Sequence, residues 1–153
     1  MIILFCGIPG SGKTTISALL AERLRALGTV QVVNSDKLSG PIYRKLLKLV
    51  APQERTTDFL ILDATFYKRE WREQVKAMAE PERVIMVYLD CRLNVALERN
   101  RAREPKLSVR AVHIMFHRME RPENADLVID TTALSPEDAA AKILEIIGEG
   151  RGE

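Results

Sequence analysis

The chain begins with MIILFCGIPGSGKTTISALLAERL, residues 1–24 of 153, and this stretch decides the fold class. The apolar run from Ile2 to Cys6 has the length and continuity of a strand that is buried on both faces of a parallel sheet. A glycine-rich turn follows. The segment from Thr14 to Leu27 then has the apolar spacing of an amphipathic helix, and Gly28 stands where a helix C′ glycine belongs. The stretch therefore predicts a strand, a glycine loop and a helix.

The turn fits the phosphate-binding pattern GxxxxGK[ST], with Gly7, Gly12, Lys13 and Thr14 at the defining positions. Its glycines let backbone N–H groups face a phosphate, and the following helix N-terminus attracts the same anion. Lys13 supplies a charge for the β- and γ-phosphates, and Thr14 supplies a hydroxyl ligand for Mg²⁺. A chance match is disfavoured by the strand before the loop and the helix after it. The predicted nucleoside triphosphate site comprises Gly7, Pro9, Gly10, Ser11, Gly12, Lys13, Thr14 and Thr15.

The rest of the chain alternates short apolar runs with longer periodic segments. The apolar runs at 30–33, 59–62, 84–89 and 127–129 predict four more strands, and the segments at 41–50, 69–79, 92–103, 108–120 and 135–147 predict helices. This alternation predicts a five-stranded parallel sheet with helices on both faces and ligands at the carboxyl ends of the strands. We expect a single domain at 1–148 and a disordered tail at 149–153.

Composition excludes some classes of function. A net charge of +2 is not that of a strongly basic nucleic-acid binder, and no apolar run approaches a membrane span. Cys6 and Cys91 lack metal or pairing spacing and are expected to be buried, reduced thiols, which suits a cytoplasmic protein. His113 and His117 have a zinc-binding separation but no evident third ligand, so no metal besides nucleotide-bound Mg²⁺ is predicted.

Two aspartates follow predicted strands. Asp36 could hold and deprotonate an attacking hydroxyl group, although Asn34-Ser35-Asp36 could equally form an Asx turn or a helix cap. Asp63 ends FLILD in a Walker B arrangement, which predicts that it holds Mg²⁺ together with Thr14; its alternative is a solvated turn. Phe66 and Trp71 follow, either as the wall of an acceptor pocket or as part of the core.

A basic segment follows the fourth strand. Residues 99–121 carry seven basic and two acidic side chains, a local net charge of +5. Arg99 and Arg103 are four residues apart in the predicted helix and share a face, so both could clamp phosphate oxygens. The break at Pro105 favours a lid that closes over the nucleotide, while a solvated basic face is the alternative.

Together these residues resemble the small P-loop kinases of the adenylate-kinase-like group. The motifs that carry the resemblance are GIPGSGKT at 7–14, NSD at 34–36, LDAT at 62–65 and ERNRAR at 98–103. The branch with adenylylsulfate kinase, seryl-tRNA(Sec) kinase and polynucleotide-kinase-like enzymes is the most similar. The resemblance implies a three-layer P-loop fold with strand order 2-3-1-4-5, ATP as co-substrate, an acceptor-side aspartate at Asp36, and lid arginines at Arg99 and Arg103.

These observations predict an ATP-dependent phosphotransferase that acts on a hydroxyl acceptor, with Lys13, Asp36, Arg99 and Arg103 in catalysis. The insert from Lys37 to Asp58 is too short for a large nucleoside-monophosphate cap, and it is basic. An anionic acceptor is therefore expected, such as adenylylsulfate, another nucleotide, or RNA or tRNA. A seryl-tRNA(Sec)-kinase-like or RNA kinase is one alternative. An ATPase or switch module without an acceptor is another alternative, although this sequence lacks the guanine-reading NKxD motif that a switch often carries.

Overall fold

The computed structural model describes residues 1–104 and 106–150 and contains one parallel sheet of five strands. The strand order is β2-β3-β1-β4-β5, as expected from the resemblance to P-loop kinases. The strands are β1 (Ile2–Cys6), β2 (Val30–Asn34), β3 (Phe59–Asp63), β4 (Val84–Asp90) and β5 (Leu127–Asp130). All five predicted strands are thus confirmed, four of them one residue longer than the apolar runs because a polar residue, an asparagine or an aspartate, ends each ladder.

The helices connect these strands. They are α1 (Lys13–Leu24), α2 (Ile42–Val50), α3 (Arg69–Ala79), α4 (Leu93–Ala102), α5 (Val109–Arg118) and α6 (Pro136–Glu149), with short 3₁₀ turns at Ser35–Lys37 and Pro52–Glu54. The hydroxyl groups of Ser108 and Ser135 accept hydrogen bonds from N–H groups in the first turns of α5 and α6, so both are N-caps. None of the helices in the described ranges has the length and hydropathy needed to cross a bilayer.

The three central strands of the sheet are buried on both faces, whereas the edge strands β2 and β5 keep exposed residues such as Val32 and Val128. In β1, Ile3 and Phe5 pack on one side in a cluster that includes residues of α1 and α6. Ile2, Leu4 and Cys6 point to the other side, where residues of α2 and α3 cover them. This alternation follows from the two-residue period of a strand and explains why the first strand is apolar throughout. Cys6 and Cys91 are both buried and unpaired, as predicted.

The first helix ends earlier than the sequence predicts. Helix α1 stops at Leu24, and Leu27 is 54% exposed rather than part of the buried stripe. Gly28 does not adopt the left-handed conformation of a C′ glycine. A Cβ there would lie 2.6 Å from Oδ2 of Asp58, so close packing excludes a side chain. These differences arise because the chain must turn into β2 sooner than the apolar spacing indicates.

Two predictions concern the C-terminal residues and the end of α4. Helix α6 continues to Glu149, so this residue belongs to the helix rather than to the expected tail. Residues 151–153 of that tail lie outside the described residues, as does the predicted break at Pro105. Helix α4 ends at Ala102, one residue before the predicted end, and Arg103 already has extended backbone angles.

Strand order and register bring the predicted site together. Strand β3 lies between β2 and β1, and Asp63 is opposite Phe5 of β1 and Asn34 of β2. Since parallel strands end at the same edge, the glycine loop after β1, the turn after β2 and the loop after β3 all begin at that edge.

Candidate functional site

The loop after β1 has the backbone conformation that its glycines predict. Gly10 and Gly12 have φ angles of 86° and 98°, which a side chain disfavours. Gly12 occupies the N-cap position, so the first N–H groups of α1 face the loop. A Cβ at Gly10 would lie 2.4 Å from the carbonyl oxygen of Ala96, so α4 packs directly on the loop. The loop is therefore shaped for a phosphate and backed by α4, the helix that carries Arg99.

Lys13 lies folded against the glycine loop. Its Nζ donates to the carbonyl oxygens of Gly7 and Ile8, at 2.7 and 3.0 Å, and its side chain is buried. Burial lowers the pKa of Lys13, and the nearby carboxylate of Asp63 opposes that shift. The ammonium group is thus held at the loop by bonds that an anionic phosphate could replace.

Thr14 and Asp63 meet where α1 begins and β3 ends. The Thr14 hydroxyl donates to Oδ2 of Asp63 at 2.8 Å, and Asp63 is only 3% exposed. Burial raises the pKa of Asp63, while Lys13 and the Thr14 hydrogen bond lower it. Magnesium prefers hard oxygen ligands, and one hydroxyl and one carboxylate side by side at the phosphate loop fit it. These residues could hold Mg²⁺.

Asp36 lies across the cleft from the glycine loop, on the 3₁₀ turn after β2. The cap there is Asn34, whose Oδ1 accepts from the backbone N–H of Asp36. The carboxylate of Asp36 does not cap the turn and instead accepts a hydrogen bond from Nη2 of Arg103 at 3.0 Å. The sequence left open an Asx turn or a carboxylate that points away from the turn. Both occur, because Asn34 forms the Asx turn and the Asp36 carboxylate is directed to Arg103.

The two arginines have different partners. Arg103 lies beyond the end of α4 and pairs with Asp36, whereas Arg99 stays on the helix. Nη1 of Arg99 is 3.4 Å from the carbonyl oxygen of Ser11, and Nη2 donates to the carbonyl oxygen of Thr131 at 2.5 Å. Arg99 therefore bridges the glycine loop and the loop after β5, and of the two arginines only Arg103 reaches Asp36.

One cleft of about 760 Å³ collects most of these groups. Gly7 and Ser11 do not line it: Ser11 is buried, and the N–H of Gly7 donates to the carbonyl oxygen of Thr65. The predicted residues that line the cleft are Pro9, Gly10, Gly12, Lys13, Thr14, Thr15, Asp36, Asp63, Arg99 and Arg103. The cleft thus combines a phosphate loop, a candidate Mg²⁺ pair and a carboxylate–guanidinium pair.

The aromatic residues after β3 do not line this cleft. Phe66 is buried in the core, and Trp71 stacks on Tyr43 of α2 with ring centroids 3.6 Å apart. The core role is the one observed for Phe66.

Sequence patterns did not indicate two buried polar residues near the site. Asn100 accepts from the N–H of Leu107 and donates to its carbonyl oxygen, which closes the segment after α4. Arg72 is buried in α3. Both residues lie on the buried side of their helix: Asn100 follows Ala96 by four residues, and Arg72 precedes Val75 by three. This helical spacing from a buried apolar residue is the sequence signal that could have identified them.

The fold and the loop define a P-loop protein of the phosphotransferase type. The family model described as chloramphenicol phosphotransferase-like protein matches residues 31–147, and the chain belongs to that family. Human L-seryl-tRNA(Sec) kinase is 32% identical over 93 residues, which cover 58% of this chain and 27% of the human protein. The chain thus spans only about a quarter of that relative.

Two further similarities extend over the whole domain. A probable adenylyl-sulfate kinase of Pyrococcus abyssi (strain GE5 / Orsay) is 23% identical over 155 residues, 90% of this chain and 89% of the relative. The solved structure of the Mycobacterium tuberculosis APS kinase CysC in complex with AMPPNP and APS superposes with a TM-score of 0.74 at 18% identity, covering 96% of each chain. The fold is therefore shared with P-loop kinases.

Proposed function

We propose that the protein transfers the γ-phosphate of Mg-ATP to a hydroxyl group of an anionic acceptor. The observation that carries this proposal is the convergence of the glycine loop, the Thr14–Asp63 pair and the Asp36–Arg103 pair on one cleft. The kinase relatives support the reaction class and ATP as co-substrate.

The donor side of the cleft is built to bind phosphate and offset its charge. Backbone N–H groups of the loop and the N-terminus of α1 face the phosphates, and Lys13 adds a positive charge. Arg99, anchored on Ser11 and Thr131, places a second cation beside the loop. Thr14 and Asp63 would hold Mg²⁺, which when bound neutralises charge on the β- and γ-phosphates.

The acceptor side provides a base and a mobile cation. In the transfer, the acceptor oxygen bonds to the γ-phosphorus while the bond from that phosphorus to the bridging β,γ-oxygen breaks and ADP leaves. Asp36 orients the acceptor hydroxyl and takes up its proton. Arg103, which pairs with Asp36 at the mouth of the cleft, turns from the carboxylate to the transferring phosphoryl oxygens.

Charge favours an anionic acceptor. Lys37 lines the cleft beside Asp36, and Arg44, Lys45 and Lys48 are exposed on the neighbouring helix α2. Adenylylsulfate and RNA both fit this basic surface. The names of the relatives, a seryl-tRNA(Sec) kinase and an adenylyl-sulfate kinase, favour testing these two first, so a seryl-tRNA(Sec)-kinase-like or RNA kinase is the second candidate.

The test follows the label of γ-phosphate-labelled ATP. The protein is incubated with Mg²⁺ and separately with adenylylsulfate, nucleosides, small hydroxyl metabolites and total tRNA. Label on one acceptor supports the proposal and identifies the substrate. Label released only as inorganic phosphate, whichever acceptor is present, refutes it and favours an ATPase or switch.

Two variants test the assigned roles. Lys13→Ala should abolish transfer and weaken ATP binding, whereas Asp36→Asn should lower transfer by about 100-fold or more and keep ATP binding. Asp90→Asn is the matched control, because Asp90 is also an aspartate at the carboxyl end of a strand and pairs with an arginine, Arg121, but lies outside the cleft. Transfer by Asp36→Asn at the wild-type rate would exclude Asp36 as the base.

A further inference from the structure

The loop between β3 and α3, residues 64–68, forms hydrogen bonds to the glycine loop, to α2 and to the segment after α5. The carbonyl oxygen of Thr65 accepts from the N–H of Gly7 at 3.1 Å. The N–H of Phe66 donates to the Tyr43 hydroxyl at 3.1 Å, and the carbonyl oxygen of Tyr67 accepts from the N–H of Glu120 at 2.8 Å. Phe66 has a φ of 45°, which is rare for a bulky residue, so outside contacts hold this conformation.

Arg72 is the central contact in this arrangement. Its Nη1 donates to the carbonyl oxygen of Phe66 at 2.6 Å, and its Nη2 donates to the carbonyl oxygen of Glu120 at 2.7 Å. Nη1 is also 3.7 Å from Sγ of Cys6, the residue directly before the glycine loop. One guanidinium group thus contacts the last residue of β1, the middle of the loop after β3 and the segment after α5.

The burial of Arg72 is costly for a purely structural side chain. It is 1% exposed, and within the described ranges it forms no ion pair with a carboxylate. A buried, unpaired cation is less favourable than a hydrocarbon side chain of similar volume at the same position. A methionine would fill this space without that penalty. What the guanidinium supplies in return is two directional donors in a fixed planar geometry.

Glu120 completes the connection to the arginine-bearing segment. Besides its two backbone bonds, its Oε2 accepts from the N–H of Arg69 at 2.7 Å and so caps the start of α3. Glu120 lies two residues after α5, and α5 packs on α4, which carries Arg99. The loop that follows Asp63 and the helix pair α4–α5, which carries Arg99, therefore share one bridge.

We infer that Arg72 is a positioning residue for the phosphoryl transfer. It fixes the loop after β3 against the glycine loop, and thereby holds the Asp63 carboxylate at Thr14 while linking this loop to α5. It contacts no reacting group itself. The inference rests on the proposed function, because it assigns Arg72 a role in placing the Mg²⁺ pair.

The experiment compares Arg72→Met, Arg72→Lys and Val75→Ala. Val75 is fully buried one turn later in the same helix, so its truncation destabilises α3 without removing a bond of the bridge. Three quantities are measured for each folded variant: ATP affinity in EDTA, ATP affinity in saturating Mg²⁺, and hydrogen exchange of the amides at Gly7, Phe66 and Glu120. Transfer rate is measured as a fourth quantity once an acceptor is known.

We expect Arg72→Met to keep the ATP affinity measured in EDTA. The factor by which Mg²⁺ increases ATP affinity should fall about tenfold, a typical effect of removing support for a metal ligand. The three amides should exchange faster. Arg72→Lys, with one ammonium in place of two separated donors, should give intermediate values, and it carries the test if Arg72→Met does not fold. Val75→Ala should lower stability and leave the Mg²⁺-dependent gain unchanged.

Two results overturn the inference. One is an Arg72→Met protein that is destabilised like Val75→Ala but retains the Mg²⁺-dependent gain and the amide protection. The other is a wild-type protein whose ATP affinity does not depend on Mg²⁺, because then the Thr14–Asp63 pair does not bind the metal. Absence of label transfer by the wild-type protein refutes only the proposed function, since the affinity and exchange measurements still decide the role of Arg72.

Discussion

Replacing Gly10 by alanine tests the contact between the glycine loop and α4. The Cβ would lie 2.4 Å from the carbonyl oxygen of Ala96 and 3.0 Å from its Cα, whereas ordinary contacts begin at 3.4 Å. The loop and the helix must therefore separate by about 1 Å, which in a packed region costs about 1–3 kcal/mol. The φ of +86° adds about 1–2 kcal/mol for a residue with a side chain. We expect a loss of about 2–5 kcal/mol in the free energy of unfolding.

The same displacement should impair function. Arg99 is carried by α4 and bonds to the loop, so a shift of about 1 Å misplaces both the phosphate-binding amides and this cation. Such a misplacement costs about 100-fold in a positioned reaction. We expect the affinity for Mg-ATP, measured by calorimetry, to fall clearly and the transfer rate to fall by about that factor.

Gly40→Ala is the matched control. Gly40 has a φ of +78°, but its Cβ would meet nothing closer than the Lys45 ammonium at 3.7 Å. In a urea titration, the free energy of unfolding of Gly40→Ala should fall by only about 1–2 kcal/mol, the cost of a side chain at this backbone conformation. Its Mg-ATP affinity should not change. Equal losses of ATP affinity in Gly10→Ala and Gly40→Ala would refute the reasoning, because backbone strain alone would then account for the effect.

Three further predictions concern single side chains. Asn100→Ala removes both hydrogen bonds to Leu107 and should cost about 1–3 kcal/mol in urea unfolding, with faster exchange of the Leu107 amide. Ser135→Ala removes the N-cap of α6 and should cost about 1 kcal/mol without changing ATP affinity. Burial raises the pKa of Cys6 from its ordinary 9.0 to about 11, so the unfolded chain loses this proton first as the pH rises. The thiol should therefore lower stability by about 2 kcal/mol between pH 9 and pH 11, and Cys6→Ala should remove that part of the decline.

Each of these predictions has a contradicting outcome. Unchanged exchange at Leu107 in Asn100→Ala would mean that the segment after α4 is held by other contacts. A loss of ATP affinity in Ser135→Ala would show that α6 is coupled to the cleft. Equal alkaline declines for Cys6→Ala and the control Cys91→Ala would mean that Cys6 does not contribute to the pH dependence.

The conformation of the glycine loop could be predicted from sequence because its requirements are local. A positive φ demands glycine, a helix N-terminus attracts an anion, and Lys13 and Thr14 lie within one turn of that N-terminus. Hydrophobic patterning likewise predicted all the strands. Burial on both faces demands unbroken apolar runs in β1, β3 and β4, and shorter apolar segments mark the partly exposed edge strands β2 and β5. Helix ends were less predictable: Arg103 lies outside α4 because the chain becomes extended there.

The sequence by itself thus determined the strand–loop–helix unit, the alternation of strands and helices, and the residue types available for binding phosphate and metal. The tertiary structure alone decided which of them meet. It placed β3 between β2 and β1, brought Asp36 to Arg103 across 67 residues of chain, and buried Arg72 as a donor to the carbonyl oxygen of Glu120, 48 residues away. The physical reason is that these contacts depend on strand order and helix packing, which are set by the sum of many buried contacts rather than by any local pattern.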